Sequence, residues 1–354
     1  MRRLRWRQSG DGLAMCTDPE PRVLSSPLYM ESARLLEVSD LRVEFPRAGG
    51  CVRAARGVAL SVDEGQIVAL VGESGSGKSA SALGMIKLVP PPGRVTGGVV
   101  CLDGVDLLQL EGEELRRRRG AGIAYIPQEP GLALSPVLTL GAQIVDVIRA
   151  HRATPRREAF REAVVALARV GIPDPELRVR EYAHEFSGGM KQRALIALAL
   201  AAHPRLLIAD EPTTAIDVSL QAGILELFRT LVDAGELGGV VLITHDLGVV
   251  AAVCDRVLVM YAGRIVEEAS VTKLFEDPRH PYTRALMASM PAPEVPRGEL
   301  PTIPGQVPDL MALPAGCAFH PRCQDAVPAC SSKDPVLAPS SSGGRVACLL
   351  EEGR

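Results

Sequence analysis

The sequence lacks a long apolar run, and it lacks an excess of basic residues. Its most continuous apolar segment, Ala194 to Ala202, is about half the ~20 residues that a helix needs to cross a bilayer, so we expect no membrane span. The basic start Met1-Arg2-Arg3 is not followed by an apolar run of signal-peptide length, which predicts a cytoplasmic protein. The formal net charge of -3 gives no basic surface for neutralising phosphates, so we predict no nucleic-acid partner.

What is present is enough apolar sequence for a large core, because 47% of the 354 residues are hydrophobic. Residues 1–33 have mixed polarity and no clear period, and they are predicted to be a disordered lead-in. Between Leu35 and Leu102, short alternating segments separated by glycines predict a small antiparallel β subdomain. These segments are Leu41 to Phe45, Val58 to Val62 and Val99 to Leu102.

Continuous apolar runs, each followed by a helical pattern, predict an α/β core with a parallel sheet. The runs are Ile67 to Val71, Leu206 to Ala209 and Val240 to Ile243. A helical pattern from Thr139 to Tyr182 indicates an inserted helical subdomain at about 130–185. Past Asp277 the composition shifts to Pro, Gly, Ser and clustered Cys. We therefore predict a main domain at 34–290 and a C-terminal extension at 291–354.

One segment matches the pattern G-x-x-x-x-G-K-[ST] at all eight positions, between a predicted strand and a predicted helix. Backbone N–H groups in such a loop wrap the phosphates of a nucleotide, Lys78 adds a positive charge, and Ser79 is expected to bind Mg²⁺. A plain glycine-rich turn is disfavoured because the whole pattern is present in the right context. A serine at position 80 does not apply as a further ligand, because the residue there is Ala80. The eight residues are Gly72, Glu73, Ser74, Gly75, Ser76, Gly77, Lys78 and Ser79.

Polar residues end two of the predicted parallel strands. Asp210 and Glu211 follow Leu206 to Ala209, and in a P-loop enzyme such a pair places one acid near the metal and one near the attacking water. Asp210 is the predicted metal-side acid and Glu211 the predicted general base. His245 follows another buried strand and is expected at the same sheet edge, where it contacts the γ-phosphate.

The segment Phe186-Ser187-Gly188-Gly189-Met190-Lys191-Gln192-Arg193 resembles the signature motif of ABC ATPases. The resemblance covers nearly the whole chain from about Leu35, and it implies a P-loop NTPase (RecA-like) core that binds ATP. It also implies that two chains pair head to tail. Ser187, Gly188 and Gly189 of one chain then grip the γ-phosphate of the ATP that the other chain holds, as suits a helix N-terminus.

Further segments resemble other motifs of this family. Gln128, after the strand Ile123 to Ile126, resembles the Q-loop glutamine, which implies a role in sensing Mg²⁺ and the membrane partner. Thr214-Ala215-Ile216-Asp217 resembles the D-loop with Ile216 where Leu is usual, and it implies that Asp217 faces the opposite site. The family stacks adenine on an aromatic residue upstream of the phosphate loop, and Phe45 is the nearest candidate.

Four of the eight cysteines lie in the tail, with five, six and seventeen residues between them: Cys317, Cys323, Cys330 and Cys348. These spacings leave zinc, an iron–sulfur cluster and no metal open. His280-Pro281-Tyr282-Thr283 and Leu313-Pro314-Ala315-Gly316-Cys317-Ala318-Phe319-His320-Pro321-Arg322-Cys323 resemble the C-terminal extension of the oligopeptide and dipeptide importer ATPases. That resemblance implies a four-cysteine 4Fe-4S site, with Zn²⁺ as the alternative.

The resemblance implies an ATP-hydrolysing subunit that powers import of di- or oligopeptides from the cytoplasmic face of the membrane. The implied partners are a second ABC ATPase subunit, either a paralogue or a copy of this chain, two membrane permease subunits and, indirectly, an external solute-binding protein. Import of nickel or another small solute is one alternative, and a non-transport ABC ATPase acting on DNA or the ribosome is another. A non-catalytic regulatory subunit is opposed by intact Lys78, Glu211 and His245.

Overall fold

The computed structural model of the chain describes residues 34–213, 218–290, 302–341 and 343–351. The predicted lead-in at 1–33 and the predicted boundary near Pro291 lie outside these ranges. The strands are β1 (Arg34–Arg47), β2 (Gly50–Asp63), β3 (Gln66–Val71), β4 (Arg94–Leu102), β5 (Val105–Asp106), β6 (Ile123–Ile126), β7 (Leu206–Asp210), β8 (Gly239–Ile243), β9 (Arg256–Tyr261), β10 (Arg264–Ser270), β11 (Ala338–Pro339) and β12 (Arg345–Val346).

The α-helices occupy the following ranges: α1 (Lys78–Met85), α2 (Gly112–Ala121), α3 (Pro130–Ala133), α4 (Leu140–His151), α5 (Arg156–Arg169), α6 (Pro175–Arg178), α7 (Gly188–Leu200), α8 (Val218–Asp233), α9 (Leu247–Val253), α10 (Val271–Glu276) and α11 (Pro281–Ala288). Short 3₁₀ turns lie at Ala183–Glu185, His320–Arg322 and Pro328–Ser331.

The N-terminal sheet is antiparallel, as the alternating segments predict. Its strand order is β2-β1-β4-β5. Leu36, Val38 and Val43 of β1 are buried. Helix α1 packs on this strand so closely that a Cβ on Gly84 would lie 2.7 Å from a methyl group of Val43. This contact joins the small sheet to the helix that follows the phosphate loop.

The main sheet has the order β11-β12-β10-β9-β3-β8-β7-β6. Strands β9, β3, β8, β7 and β6 are parallel neighbours, and β10, β12 and β11 add an antiparallel edge. Every residue of β7 and β8 is buried, as expected for parallel strands covered on both faces. The α/β core and the three buried strands that the apolar runs predict are thus confirmed.

Helices α3 to α6 lie in the part of the chain, about 130–185, for which an inserted helical subdomain is predicted. Thr139 caps α4, since its Oγ1 accepts a hydrogen bond from the N–H of Ala142 at 3.2 Å. Ile144 and Ile148 of α4 belong to the same buried cluster as Ala163 and Leu167 of α5. Both helices therefore bury an apolar face in one cluster.

The C-terminal extension is built onto the main sheet. Glu267 and Glu268 of β10 pair with Val346 and Arg345 of β12, respectively. The N–H of Ala347 also donates to the carbonyl of Val266 at 2.8 Å. Across the described ranges, none of the helices is both long and apolar enough to cross a membrane.

Candidate functional site

The phosphate-binding pattern lies in the loop between β3 and α1, where two glycines allow close backbone approach. Gly72 has φ 153° and Gly77 has φ 105°. A Cβ would lie 2.2 Å from the Met260 carbonyl at the first position and 2.0 Å from the Ala54 carbonyl at the second. Any other residue would therefore force the loop away from β9 and β2.

Lys78 is buried inside this loop. Its Nζ donates to the carbonyls of Gly72 at 2.8 Å and Glu73 at 2.9 Å. Burial lowers the pKa of Lys78, and the carboxylates of Glu211, Asp210 and Glu73 act to raise it. The ammonium group is thus held at the centre of the loop and faces the acidic strand end.

Ser79 is the last residue of the phosphate loop, and its hydroxyl is the last side-chain group there that could bind Mg²⁺ or a phosphate. The next residue of α1 is Ala80, so position 80 has no serine to add to the cofactor-binding residues. Ala80 is half-buried and packs against the apolar cluster that contains Ala82 and Met85. A methyl side chain offers no oxygen to Mg²⁺ or to a phosphate, and Ala80 therefore contributes packing alone.

Asp210, at the end of β7, is buried, and the hydroxyl of Tyr125 donates to its Oδ2 at 3.0 Å. Burial raises the pKa of Asp210, whereas the Ser79 and Tyr125 hydroxyls lower it. Its buried Oδ1 has no hydrogen-bond partner among the residues that the structure describes. An unpartnered carboxylate oxygen beside a serine hydroxyl suits Mg²⁺, which prefers oxygen ligands.

Glu211 brings together two other residues of the predicted site. It has the left-handed φ of 48°, and its N–H donates to the carbonyl of Ile243 at 2.9 Å. Its Oε2 accepts a hydrogen bond from Nε2 of Gln128 at 3.0 Å, and its Oε1 lies 3.1 Å from Nδ1 of His245. Three segments that are distant in sequence therefore meet at this carboxylate.

The signature-like segment starts α7. Ser187 Oγ accepts from the N–H of Met190 at 3.4 Å, so Ser187 caps the helix. Ser187 and Gly188 are exposed, and a Cβ on Gly189 would meet no atom within 4 Å. This helix N-terminus is open, and the contacts of Ser187 that the structure describes are local rather than to the phosphate loop.

Comparison with known proteins gives two family matches. Residues 55–214 match the family model described as ABC transporter. Residues 266–330 match the one described as oligopeptide/dipeptide transporter, C-terminal region.

Relatives of known name align over most of the chain. A probable peptide ABC transporter ATP-binding protein of Sinorhizobium fredii is 50% identical over 317 residues, which are 89% of this chain and 94% of that protein. The oligopeptide transport ATP-binding protein OppD of Bacillus subtilis is 49% identical over 306 residues, 86% of this chain and 85% of OppD. This chain belongs to the ATP-binding proteins of ABC transporters, in the oligopeptide/dipeptide branch. It is an ABC-type ATPase.

Solved structures agree with the fold of this ABC ATPase. A bacterial ABC transporter cassette solved as a dimer superposes with a TM-score of 0.61 at 26% identity, covering 67% of this chain and 98% of that chain. A post-hydrolysis state of the same cassette, bound to ADP and Pi, gives a TM-score of 0.60 at 26% identity with the same coverage. The part of this ABC ATPase that aligns is the cassette, which confirms the predicted fold class.

Asp217 and Phe45 are two further residues of the predicted site. Asp217, in the D-loop-like segment at 214–217, lies outside the described residues. Phe45 is half-buried, and its ring edge lies against Gly93, where a Cβ would be 2.4 Å from Cε1. Its role beside adenine stays a prediction. Tyr125 is a site residue that sequence reasoning missed, because its only signal is its place on β6 beside Ile208 of the acidic strand.

The four tail cysteines are neighbours in space. The N–H of Cys317 donates to the carbonyl of Cys330 at 2.9 Å. Burial raises the pKa of Cys317 to about 11, and the charges of Cys330 and Cys348 also raise it. Burial likewise raises the pKa of Cys323, and the charges of Asp325 and Cys330 add to the rise. The described side chains nevertheless contain no group of three or more His, Cys, Asp or Glu arranged to hold a metal ion.

Proposed function

We propose that this ABC ATPase powers an importer of di- or oligopeptides. The observation that carries the proposal is the joint presence of a complete phosphate site and the 266–330 match to the oligopeptide/dipeptide transporter C-terminal region. Relatives named for peptide, oligopeptide and dipeptide transport support the same solute class. Import of nickel or another small solute is the alternative within the same machinery.

In the proposed mechanism, the loop from Gly72 to Ser79 binds the ATP phosphates through backbone N–H groups, and Lys78 supplies positive charge. Mg²⁺, when bound, neutralises phosphate charge, and Ser79, Asp210 and Gln128 are the residues we propose to hold it. Glu211 orients and deprotonates the attacking water, and His245 contacts the γ-phosphate.

We propose that the second half of each ATP site comes from another cassette. Ser187, Gly188 and Gly189 would approach the γ-phosphate from the partner, with Asp217 beside them. The exposed start of α7 supports this arrangement, because an unencumbered helix N-terminus attracts anions. The dimeric neighbour structure supports it independently. The partner is either a paralogue or a copy of this chain.

The proposed assembly also includes two membrane permease subunits, which hold the ATPase at the cytoplasmic face of the membrane, and an external solute-binding protein that acts indirectly. We propose that the chain consists of an ATPase domain at 34–290, which includes a helical subdomain at about 130–185, and a C-terminal extension at 291–354.

The test of peptide import is uptake by the assembled transporter in proteoliposomes. The complex, purified with its permease subunits and supplied from outside with the solute-binding protein, should take up a labelled tripeptide only with ATP inside, and the Glu211→Gln complex should not. Uptake of labelled nickel in place of peptide would overturn the solute class. Failure of this chain to co-purify with the permease subunits when they are produced together would favour a non-transport ABC ATPase instead.

We propose further that Cys317, Cys323, Cys330 and Cys348 form a 4Fe-4S site, with Zn²⁺ as the alternative. Four thiols within electrostatic range of one another support the proposal, since both sites use four thiolate ligands. The thiol groups would have to turn toward a common centre. Iron, sulfide and zinc analysis of anaerobically purified protein, with Cys330→Ser as the comparison, decides between iron, zinc and no metal.

A further inference from the structure

We propose that Arg322, in the C-terminal region, is a positioning residue of the ATP site that fixes the phosphate loop through the carboxylate of Glu73. The inference rests on the ATP site proposed above. ATP affinity would then depend on a residue of the C-terminal region, and the extension would have a role beyond adding strands to the sheet.

Two parallel bonds join the residues. Nη1 of Arg322 donates to Oε2 of Glu73 at 2.8 Å, and Nη2 donates to Oε1 at 3.1 Å. The side chains are 5% and 25% exposed, respectively. A bidentate pair of this kind fixes orientation as well as distance, and at this burial salt screens it weakly. The second residue of the phosphate loop is therefore tied to one place on the extension.

The guanidinium of Arg322 is itself held in place. Its Nε donates to the carbonyl of Pro304 at 2.8 Å, and its Nη1 also donates to the hydroxyl of Tyr261 at 3.3 Å. Its central carbon lies 5.9 Å from the centre of the Tyr261 ring, within the range of a cation–π contact. Arg322 thus approaches Glu73 from a fixed position.

The main chain of Glu73 links this clamp to the catalytic lysine. Its carbonyl accepts from Nζ of Lys78 at 2.9 Å, and its N–H donates to the hydroxyl of Tyr282 at 2.8 Å. Tyr282 is buried, and its ring packs against those of Tyr261 and Phe319 at 4.6 and 5.4 Å between centroids. Tyr282, Phe319 and Arg322 all belong to the matched region 266–330.

Loss of this clamp has a defined consequence for ATP. Without Arg322, the N–H of Glu73 keeps its hydrogen bond to Tyr282, but the carboxylate of Glu73 loses the two bonds that fix it. ATP binding must then order the loop, and the cost of ordering subtracts from affinity. Coupling through a packed network of this kind changes binding by roughly threefold to thirtyfold.

The experiment measures Mg²⁺-ATP binding to the full chain by isothermal titration calorimetry, with thermal unfolding by circular dichroism as a check on folding. We expect Arg322→Met to raise the Kd for ATP by about threefold to thirtyfold. Arg322→Lys should give an intermediate Kd, because it keeps the charge but not the parallel bonds. The double variant Glu73→Gln, Arg322→Met should bind ATP only a little more weakly than the weaker-binding single variant, since both substitutions remove the same interaction.

A matched control is available in the same extension. Asp325→Asn removes an ion pair with Arg284, whose Nη2 donates to Asp325 at 2.6 Å, without touching the phosphate loop. This variant should bind ATP as the unmodified chain does. A general effect of disturbing the extension would weaken binding in the control as well, and that result would overturn the proposal.

Unchanged ATP affinity in a folded Arg322→Met chain overturns the proposal. The proposal is also overturned if the double variant raises the Kd for ATP by the product of the two single-variant effects, because the residues would then act independently. If Arg322→Met does not fold, Arg322→Lys decides the matter, and affinity equal to that of the unmodified chain is the contrary result. Failure of the unmodified chain to bind ATP would instead contradict the proposed function. Normal binding that Lys78→Ala abolishes, without coupling between Glu73 and Arg322, contradicts only the present inference.

Discussion

Oε1 of Glu211 lies 3.1 Å from Nδ1 of His245, and Oε2 of the same carboxylate accepts a hydrogen bond from Gln128. The side chain of Glu211 is 15% exposed, whereas that of His245 is 64% exposed. The carboxylate is therefore fixed between an amide and an imidazole, while the imidazole keeps an open side. Such a fixed carboxylate is what positioning of a water molecule for attack requires.

Glu211→Gln should abolish ATP turnover and leave ATP binding intact. The amide can keep hydrogen bonds to Gln128 and His245 but cannot accept a proton from water. A general base contributes roughly 10²- to 10⁴-fold to the rate. Phosphate release by the complex and calorimetric binding by the chain measure the two quantities. Turnover at the native rate would show that the base lies elsewhere.

Tyr125→Phe should shift the acid limb of the pH–rate profile for ATP hydrolysis to higher pH. The Tyr125 hydroxyl lowers the pKa of Asp210, which burial has already raised. Without it, Asp210 protonates at a higher pH, and a protonated carboxyl binds Mg²⁺ poorly. The shift should be about one to two pH units, which corresponds to the free energy of a hydrogen bond to a charged group.

The matched control for this shift is Tyr182→Phe, because Tyr182 is exposed and stacks on His184 far from the acidic strand end in sequence. Its pH profile should coincide with that of the unmodified protein. If the acid limbs of Tyr125→Phe and the unmodified protein coincide, the Tyr125 hydroxyl does not lower the pKa of Asp210, and the prediction is wrong.

Gly77→Ala should lower the free energy of unfolding by roughly 3 kcal/mol and prevent ATP binding, since the new Cβ meets the Ala54 carbonyl at 2.0 Å in a strained backbone conformation. Gly75→Ala is the control: φ is +79°, but a Cβ there meets nothing within 4 Å. It should cost only roughly 1 to 2 kcal/mol of backbone strain. Urea unfolding of both variants checks the difference, and equal losses would contradict the close-approach explanation.

Ser187→Arg should leave ATP binding to the separate chain unchanged and abolish hydrolysis by the assembled transporter. The residue is exposed at the start of α7, so the substitution disturbs little within the chain. In the assembly, a long side chain would block the helix N-terminus proposed to meet the partner's γ-phosphate. Calorimetry and phosphate release separate the two effects, and undiminished hydrolysis would count against a shared site.

The sequence could predict those parts of the site that local pattern controls. The apolar run Ile67 to Val71 predicts β3, and the glycine pattern after it predicts the phosphate loop, because each depends on neighbours within a few residues. Parallel strands also bring their carboxyl ends to one edge, which explains why Glu211 and His245 meet as expected.

The remaining contacts have no local signature. Tyr125 reaches Asp210 only because β6 and β7 are neighbours, and a tyrosine on a strand is ordinarily part of the core. Strands β11 and β12 have two residues each, too few for a periodic pattern, so the extension's place on the sheet could not be read from its composition. The pair of Arg322 and Glu73 depends on folding of the main-sheet strands β6 to β10, which lie between the two residues in sequence.

The ribosome synthesises the two residues of the Glu73–Arg322 pair at different times. Glu73 and Arg322 are separated by 249 positions, and at elongation rates of ~5–20 residues per second the ribosome needs about 12 to 50 s to cover them. Throughout this interval the nascent cassette has its phosphate loop but not the arginine that fixes it. The finished ATP site is therefore one of the last features that a newly made subunit acquires.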